Sequence, residues 1–289
     1  MSAIPLARWL AKKSARRALA LAMSASGTLA LRRALERVSR VRVLTYHRFG
    51  DIARDPFCMK QSDFEAQIRF LAEHERAIGL DDLRRFVAGE QELARDSALV
   101  TIDDGFASTF SLALPVLRHH AVPAVAFVTA SLVGNPDAPR VEAERYMTWD
   151  ELEKLAEGGI ATGAHGYGHE SLGQMSVAAA HEQGVRAREL LESRLGRTVF
   201  SFAYPYGTLR DFNTGTRRAL VAAGYALVFT SQHGSVRQGM DPHELPRVKV
   251  ENGDTRALFR RLCDGALDSW RIVDSGLSRL QRPARKRGV

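Results

Sequence analysis

The chain has little cysteine and no long apolar run, and each of these absences excludes a class of protein. Its 289 residues include only two cysteines, Cys58 and Cys263, which lie far apart and form no Cys-x-x-Cys pair. Neither a disulfide framework nor a thiolate zinc site is therefore indicated. No stretch of about eighteen apolar residues is present, which argues against a membrane-spanning helix. The sequence also has no Gly-x-Gly-x-x-Gly string to mark a dinucleotide site, and no internal repeat.

The positive charge is confined to the two ends of the chain. The formal net charge is +8, from 41 Lys and Arg against 33 Asp and Glu. Residues 1–42 hold ten basic residues and one acidic residue, and residues 279–289 hold five basic residues and none that is acidic. The remaining 26 basic and 32 acidic residues give residues 43–278 a net charge of about −6. An acidic body argues against nucleic acid as a partner.

These shifts predict a single folded domain at residues 41–278, between a basic leader at 1–40 and a basic tail at 279–289. In the leader, the apolar stretch from Ala18 to Leu31 follows a run of cations, which is the order of a secretory signal. The stretch is short and contains hydroxyl residues. A basic amphipathic helix on an anionic membrane surface, or a solvated helical tail, is therefore an equal alternative. We expect a membrane-associated or cell-envelope protein, with the cytoplasm as the second expectation.

Short apolar segments alternate with helical patterns along the chain, which predicts a parallel α/β sheet. The strand-like segments are 41–46, 98–102, 124–129, 160–164, 200–204, 226–230 and 247–250. The helical segments are 62–75, 107–119, 149–157, 177–195, 211–223 and 255–263. Alternation alone does not distinguish an open doubly wound sheet from a closed barrel. Polar candidate residues follow at least four of the strands, however, and a barrel enzyme builds its site from several strand ends.

Two groups of potential metal ligands follow predicted strands. Asp103 and Asp104 come directly after one apolar segment, and His165 and His169 follow another. A carboxylate and two imidazoles suit a divalent ion of the zinc type, which keeps one position for water in a catalytic site. Of two adjacent carboxylates, one then binds the metal and the other handles the proton. The simpler alternative is that Asp-Asp-Gly is a turn that caps the next helix.

Four short strings give the sequence a family resemblance. The string Thr-Ile-Asp-Asp-Gly at 101–105 resembles the first motif of the NodB-homology polysaccharide deacetylases, carbohydrate esterase family four, and residues 165–169 are similar to the second. Residues 202–207 are similar to the third motif, and Tyr-His-Arg at 46–48 resembles the opening of the poly-N-acetylglucosamine deacetylase branch. The strings occur in the expected order within residues 41–265, each at the end of a predicted strand.

The resemblance implies a distorted (β/α)7 barrel and a set of site residues. Asp104, His165 and His169 would bind a divalent metal of the zinc type, and Asp103 would be the general base. The backbone N–H of Tyr206 would face the developing oxyanion.

Departures from the family pattern lead to further expectations. Gly166 stands where the family usually has a hydroxyl residue that helps to hold the ligand loop. Ala203 stands where the family often has an arginine that orients the base. Arg247, at the start of a predicted strand, is our candidate substitute, with a surface charge as the alternative. No late motif with a general-acid histidine is recognisable, so we expect His47, at the end of the first strand, to have that role. His233 and His243, in predicted loops, are less favoured alternatives.

The expected function is metal-dependent hydrolysis of N-acetyl groups on sugars of a polysaccharide or glycolipid. An O-acetyl ester hydrolase or a cyclic-amide hydrolase on the same fold is one alternative. A sugar-binding module that has lost catalysis is another, and its metal content would distinguish it from an enzyme.

Overall fold

The computed structural model describes residues 6–35, 39–141 and 144–270, and the predicted basic tail at 279–289 lies outside them. Within this part of the chain the strands are β1 (Arg42–Tyr46), β2 (Arg48–Phe49), β3 (Cys58–Met59), β4 (Ala98–Ile102), β5 (Ala124–Val128), β6 (Ala161–Ala164), β7 (Ser201–Ala203), β8 (Leu227–Phe229) and β9 (Val248–Lys249). The helices are α1 (Leu6–Ala25), α2 (Thr28–Leu35), α3 (Gln61–Glu73), α4 (Leu80–Val87), α5 (Leu114–His119), α6 (Trp149–Glu157), α7 (Val177–Leu195), α8 (Thr214–Ala222) and α9 (Arg256–Cys263).

Seven strands form one curled sheet in the order β8-β7-β6-β5-β4-β1-β9, and strands β2 and β3 form a separate pair. Every pairing between neighbouring strands of the large sheet is parallel. The edge strand β8 also contacts the segment that leads into β9, because Phe229 bridges Leu245 and the Arg247 amide donates to the Gln232 carbonyl at 2.9 Å. The sheet therefore returns on itself. The predicted distorted (β/α)7 barrel, in a single domain, is confirmed.

Alternate residues of each barrel strand face opposite layers, as the two-residue period of a strand requires. In β4, Val100 and Ile102 pack in the large cluster that the surrounding helices share, whereas Leu99 packs with Val125 and Phe127 in a second cluster within the barrel. Strands β1, β4 and β5 are buried along their whole length. This burial on both faces is the reason that they form continuous apolar runs in the sequence.

The predicted strands and most predicted helices occur where expected, with shifts at their ends. The helix predicted at 211–223 begins only at Thr214. Asn213 caps it through its side chain, and Asp211 instead accepts a hydrogen bond from the Ser171 hydroxyl at 2.6 Å. The helix predicted at 107–119 is divided into a π-helical turn and α5. Helix α4 and the short strands β2 and β3 were not predicted.

Helix α1 packs against the barrel through a buried group of four charges, Lys13, Arg16, Glu251 and Asp254, which we call the leader clamp. Lys13 Nζ lies 3.0 Å from Glu251 Oε2 and 2.9 Å from Asp254 Oδ1. Arg16 Nη2 donates to Asp254 Oδ2 and to the carbonyl of Lys249, both at 3.0 Å. Lys13 and Arg16 are only 4% and 0% exposed. The clamp is therefore shielded from water and from salt.

The clamp ties the leader to the turn that follows β9. Burial raises the pKa of Glu251, but the cations Arg16, Lys12 and Lys13 outweigh burial and hold this pKa well below its ordinary value. A depressed carboxylate pKa stabilises the fold above the pKa of an unfolded glutamate, about 4.3, and this stabilisation is lost as the pH falls.

The domain boundary at residue 40 stays a prediction. Among the described residues, no helix has the length and apolar character to cross a bilayer.

Replacing Asp254 with alanine should lower the free energy of unfolding by about 3 kcal/mol, because it removes one of the two carboxylates that pair with the buried cations Lys13 and Arg16. Urea denaturation at pH 7 measures this loss. As a control, Lys154→Ala removes a pair with Asp150 whose side chains are 56% and 70% exposed, and it should cost less than about 0.5 kcal/mol. Equal losses in the two variants would show that the clamp contributes no more than a surface pair.

Candidate metal centre and active site

The carboxyl ends of the barrel strands bring the predicted site residues to one rim. His47, Asp103 and His165 each follow the last residue of a strand, namely β1, β4 and β6. Each is one residue beyond a side chain that packs toward the helices, so the two-residue period directs all three toward the barrel axis. The pattern of strand ends thus assembles groups that lie more than a hundred residues apart in sequence.

Asp104, His165 and His169 form a compact set of candidate metal ligands. Asp104 Oδ1 lies 3.4 Å from His165 Nε2 and 3.2 Å from His169 Nε2. One donor atom from each residue lies within 4.8 Å of the other two. Two ligands of a tetrahedral zinc ion, each about 2.0 to 2.1 Å from the ion, are separated by about 3.3 Å. The donor spacing and the donor types therefore fit a small ion of this kind.

The orientation of His165 is fixed by a backbone group. Its Nδ1 lies 2.8 Å from the carbonyl oxygen of Ala203, so Nδ1–H donates there and Nε2 is the ring nitrogen that faces Asp104. Ala203 thus contributes through its main chain. Burial raises the pKa of Asp104, but hydrogen bonds to His165 and His169 outweigh burial and hold this pKa well below its ordinary value. Asp104 is therefore a carboxylate, the form that binds metal.

The loop between the two histidines is held by a residue that the sequence analysis missed. Gln183 of α7 accepts hydrogen bonds from the amides of Tyr167 and Gly168, both at 3.1 Å. Gly166 has a φ of +77°, and a Cβ there would lie 3.3 Å from Pro205 Cγ. A side chain is strained in this conformation, which explains the glycine at this position. Gln183 carries out the support expected of the missing hydroxyl residue, and its place on a helix far from the motifs gives no sequence signal.

Arg247 binds Asp103 through two parallel hydrogen bonds inside the barrel. The distances Nη1–Oδ1 and Nη2–Oδ2 are both 2.7 Å, and each side chain is 2% exposed. Arg247 directly precedes β9, and its side chain reaches Asp103 at the carboxyl end of β4. Its Nε donates to the Thr230 carbonyl at 2.9 Å. Burial raises the pKa of Asp103, but the charge of Arg247 leads the effects that lower it, and the net shift is downward. Arg247 is therefore not a surface charge.

His47 lies at the same rim, half-buried, with its ring 4.7 Å from the ring of Phe57. Burial lowers the pKa of His47, while the charges of Asp104 and Asp103 oppose the shift. A lowered pKa makes protonated His47 a stronger proton donor than an imidazolium in water.

Tyr206 lies beside the ligand candidate His169 and has an unusual backbone conformation. Its φ is +62°, its side chain is 59% exposed, and its carbonyl accepts a hydrogen bond from the Ser231 hydroxyl at 2.6 Å. Among the described residues, its amide has no acceptor. Its ring lies 4.9 Å from the ring of His169. The amide is thus available for an acceptor on a bound molecule.

Tyr146 is a further site residue that the sequence did not single out. Its ring stacks on Phe106, two residues after Asp104, with 4.9 Å between ring centroids and 19° between planes. Burial raises the pKa of Tyr146 to about 12, and the charge of Asp104 adds to the shift. Three aromatic side chains therefore lie next to candidate site residues or their neighbours: Phe57 contacts His47, Tyr206 contacts His169, and Tyr146 stacks on Phe106. Such rings can stack on the apolar face of a sugar.

The chain is similar to proteins described as polysaccharide deacetylases. A family model described as polysaccharide deacetylase matches residues 90–228, which include the three metal-ligand candidates and Tyr206 but neither His47 nor Arg247. The poly-β-1,6-N-acetyl-D-glucosamine N-deacetylase of Staphylococcus epidermidis is 21% identical over 212 residues, which cover 71% of this chain and 72% of the relative.

Two solved structures share the fold. IcaB from Ammonifex degensii is 26% identical, with a TM-score of 0.67, over 79% of this chain and 97% of its own. The deacetylase PplD of Streptococcus pyogenes is 17% identical, with a TM-score of 0.69, over 78% of this chain and 97% of its own.

Replacing His169 or His165 with alanine should empty the metal site, since two of three protein ligands cannot retain a zinc-type ion at micromolar concentration. Elemental analysis of the purified, dialysed protein measures the ion per chain. His243→Ala is the control, because His243 lies on a turn beside Asp241 and belongs to no ligand set in the described residues. Full metal content in both site variants would remove these histidines from the ligand set.

Proposed function

Because the chain carries a polysaccharide deacetylase domain and is a hydrolase of non-peptide carbon–nitrogen bonds, we propose that it is a metal-dependent N-deacetylase of poly-N-acetylglucosamine. The observation that carries the proposal is the convergence of Asp104, His165 and His169 beside the Asp103–Arg247 pair. The relative from S. epidermidis supports a β-1,6-linked polymer. A glycolipid with the same acetamido sugar is the second substrate class.

Asp103 is the general base of the proposed reaction. Arg247 keeps it ionised in a buried position, and each carboxylate oxygen retains a lone pair after binding the guanidinium. Asp103 then accepts the proton of the attacking water, while its fixed position spares the cost of orienting a mobile side chain.

Asp104, His165 and His169 hold the divalent ion in this proposal. When bound, the ion supplies a Lewis acid for the acetyl carbonyl and lowers the pKa of water toward about 7. The Tyr206 amide donates to the oxygen that becomes negative as water adds to the carbonyl carbon. One such preorganised donor contributes roughly 3 to 4 kcal/mol to transition-state stabilisation.

His47 completes the cycle by protonating the leaving amine. Its place on the opposite side of the barrel axis from β6 separates it from the ligand loop, since β1 and β6 are three strands apart in the sheet. His47 acts in its imidazolium form, and its lowered pKa makes that form a stronger acid toward the amine, which is the stronger base. Exchange with solvent then removes the proton from Asp103 and returns one to His47, which restores both groups for the next turnover. Asp103 and His47 thus have separate tasks, one taking a proton and the other giving one.

A sugar-binding module without catalysis is the less favoured alternative, because the groups needed for catalysis are assembled. Asp104 lies close to both histidines, and Asp103 is bonded to Arg247. An acetyl ester hydrolase would use the same groups. The relative rates on N-acetylated and O-acetylated oligomers distinguish the two activities.

Asp103→Asn should reduce deacetylation of β-1,6-linked N-acetylglucosamine oligomers by about 10² to 10⁴ fold, because the amide cannot accept the proton of water. Release of free amine and of acetate measures the reaction, and metal content should stay unchanged. O-acetylated oligomers serve as the competing substrate for the unmodified protein. Faster release of acetate from the O-acetyl substrate, or full activity in the variant, would contradict the proposal.

Arg247→Ala should move the acidic limb of the pH profile of kcat/KM to higher pH. The folded pKa of Asp103 is depressed mainly by Arg247, so loss of the cation lets burial raise that pKa and protonates the base at a higher pH. Arg247→Lys should move the acidic limb by a smaller amount, because it keeps a positive charge near Asp103. Arg237→Ala, which removes an exposed cation nearby in sequence, is the control. An unmoved limb in Arg247→Ala would exclude the positioning role.

A further inference from the structure

The leader clamp divides helix α1 into two faces. Lys13, Arg16 and Ala20 are buried against the barrel. Leu6, Leu10 and Leu21 fall on an adjacent face of the helix and are 54%, 54% and 51% exposed. The clamp fixes the rotation of the helix about its own axis, because a turn of 100° would break the buried ion pairs. The outward direction of these leucines is therefore determined by the barrel.

Exposed apolar side chains are concentrated in this leader. Of ten large exposed hydrophobic residues in the described part of the chain, five belong to α1 and α2, with Leu31 and Leu35 at 61% and 72%. The two helices account for 28 of the described residues. A cluster of exposed leucines on so short a segment is typical of a contact surface, whereas single ones are common everywhere.

The charge of the segment indicates what covers it. Residues 6–35 contain seven basic residues and no acidic residue. The clamp offers two carboxylates, Glu251 and Asp254, so a surplus of five positive charges remains. Two copies of this surface would repel each other, whereas an anionic bilayer complements both the charge and the leucines.

The attachment point places this surface beside the catalytic rim. Glu251 and Asp254 follow β9, at the carboxyl end of the barrel, where the candidate site also lies. Between them, the amide of Asn252 donates to the Pro56 carbonyl and its side chain to the Ile52 carbonyl, at 3.1 and 3.3 Å. Phe57, which follows Pro56, contacts the ring of His47 through its own ring.

We propose that α1 and α2 form a docking surface for an anionic lipid bilayer, which the leader clamp holds at a fixed angle to the mouth of the barrel. The leucines enter the headgroup region while cations beside them pair with lipid phosphates. The surface contains no group of the metal site, so docking and deacetylation are separate properties. A polymer at the outer edge of the membrane would then meet the site without a search through solution.

Co-sedimentation of the full-length chain with vesicles tests the proposal. Vesicles of phosphatidylcholine with about 30 mol% phosphatidylglycerol should bind the protein roughly tenfold more strongly than vesicles of pure phosphatidylcholine. Binding to the anionic vesicles should weaken at high salt. The double variant Leu10→Gln, Leu21→Gln should reduce partitioning by about tenfold or more. The matched control Val177→Gln, Val221→Gln changes two side chains that are 52% and 46% exposed on α7 and α8, and it should bind as the unmodified chain does.

A second variant separates charge from apolar contact. Arg17→Glu replaces an exposed residue of α1 and should weaken binding to anionic vesicles only. Thermal unfolding of each variant confirms that the fold is retained. Equal binding to neutral and anionic vesicles, or unchanged binding of the leucine variant, would overturn the proposal. So would a lipid-free dimer that the leucine variant converts to monomer, since the second copy would then be the occupant.

Discussion

The buried ion pair between Arg247 and Asp103 is the interaction on which the geometry of the site depends. It joins the carboxyl end of β4 to the residue before β9, and it can form only when the sheet has curled far enough for Leu245 to pair with β8. The pair tolerates burial because its geometry is bidentate and the guanidinium Nε–H is also bonded, to the carbonyl of Thr230. The ionised state of the base candidate therefore depends on closure of the barrel, because the same contact requires one and maintains the other.

Much of the barrel could be predicted from the sequence, since buried parallel strands form apolar runs that end in polar residues. Strand β4 and helices α6 and α7 have the predicted limits. The clustering of Asp104, His165 and His169 also followed from strand ends and loop spacing. Gln183 and Tyr146 could not be found in this way. Their roles arise from tertiary contacts with the ligand loop and with Phe106, and neither contact leaves a local pattern.

The leader shows the limit of reasoning from charge composition. The sequence analysis predicts a basic leader outside the folded domain, because charges in sequence are assumed to be solvated. In the structure, two of these cations are buried against Glu251 and Asp254, whose positions are more than 230 residues away. A long-range ion pair of this kind has no periodicity, so composition correctly indicates the surplus charge but not which cations contribute to the fold.

The site also depends on backbone strain that its motifs do not reveal. Asp104, His169 and Tyr206 all have left-handed φ values, of 76°, 58° and 62°. Each such residue costs of order 1 to 3 kcal/mol, and strain of this kind persists only where surrounding groups over-determine the conformation. Here the supporting groups are the Gln183 side chain on the ligand loop and the Ser231 hydroxyl on the Tyr206 carbonyl. Both stand outside the recognisable strings. A sequence that kept every motif residue but lost these supports would relax its loops, and the donor atoms of Asp104, His165 and His169 would no longer lie close together.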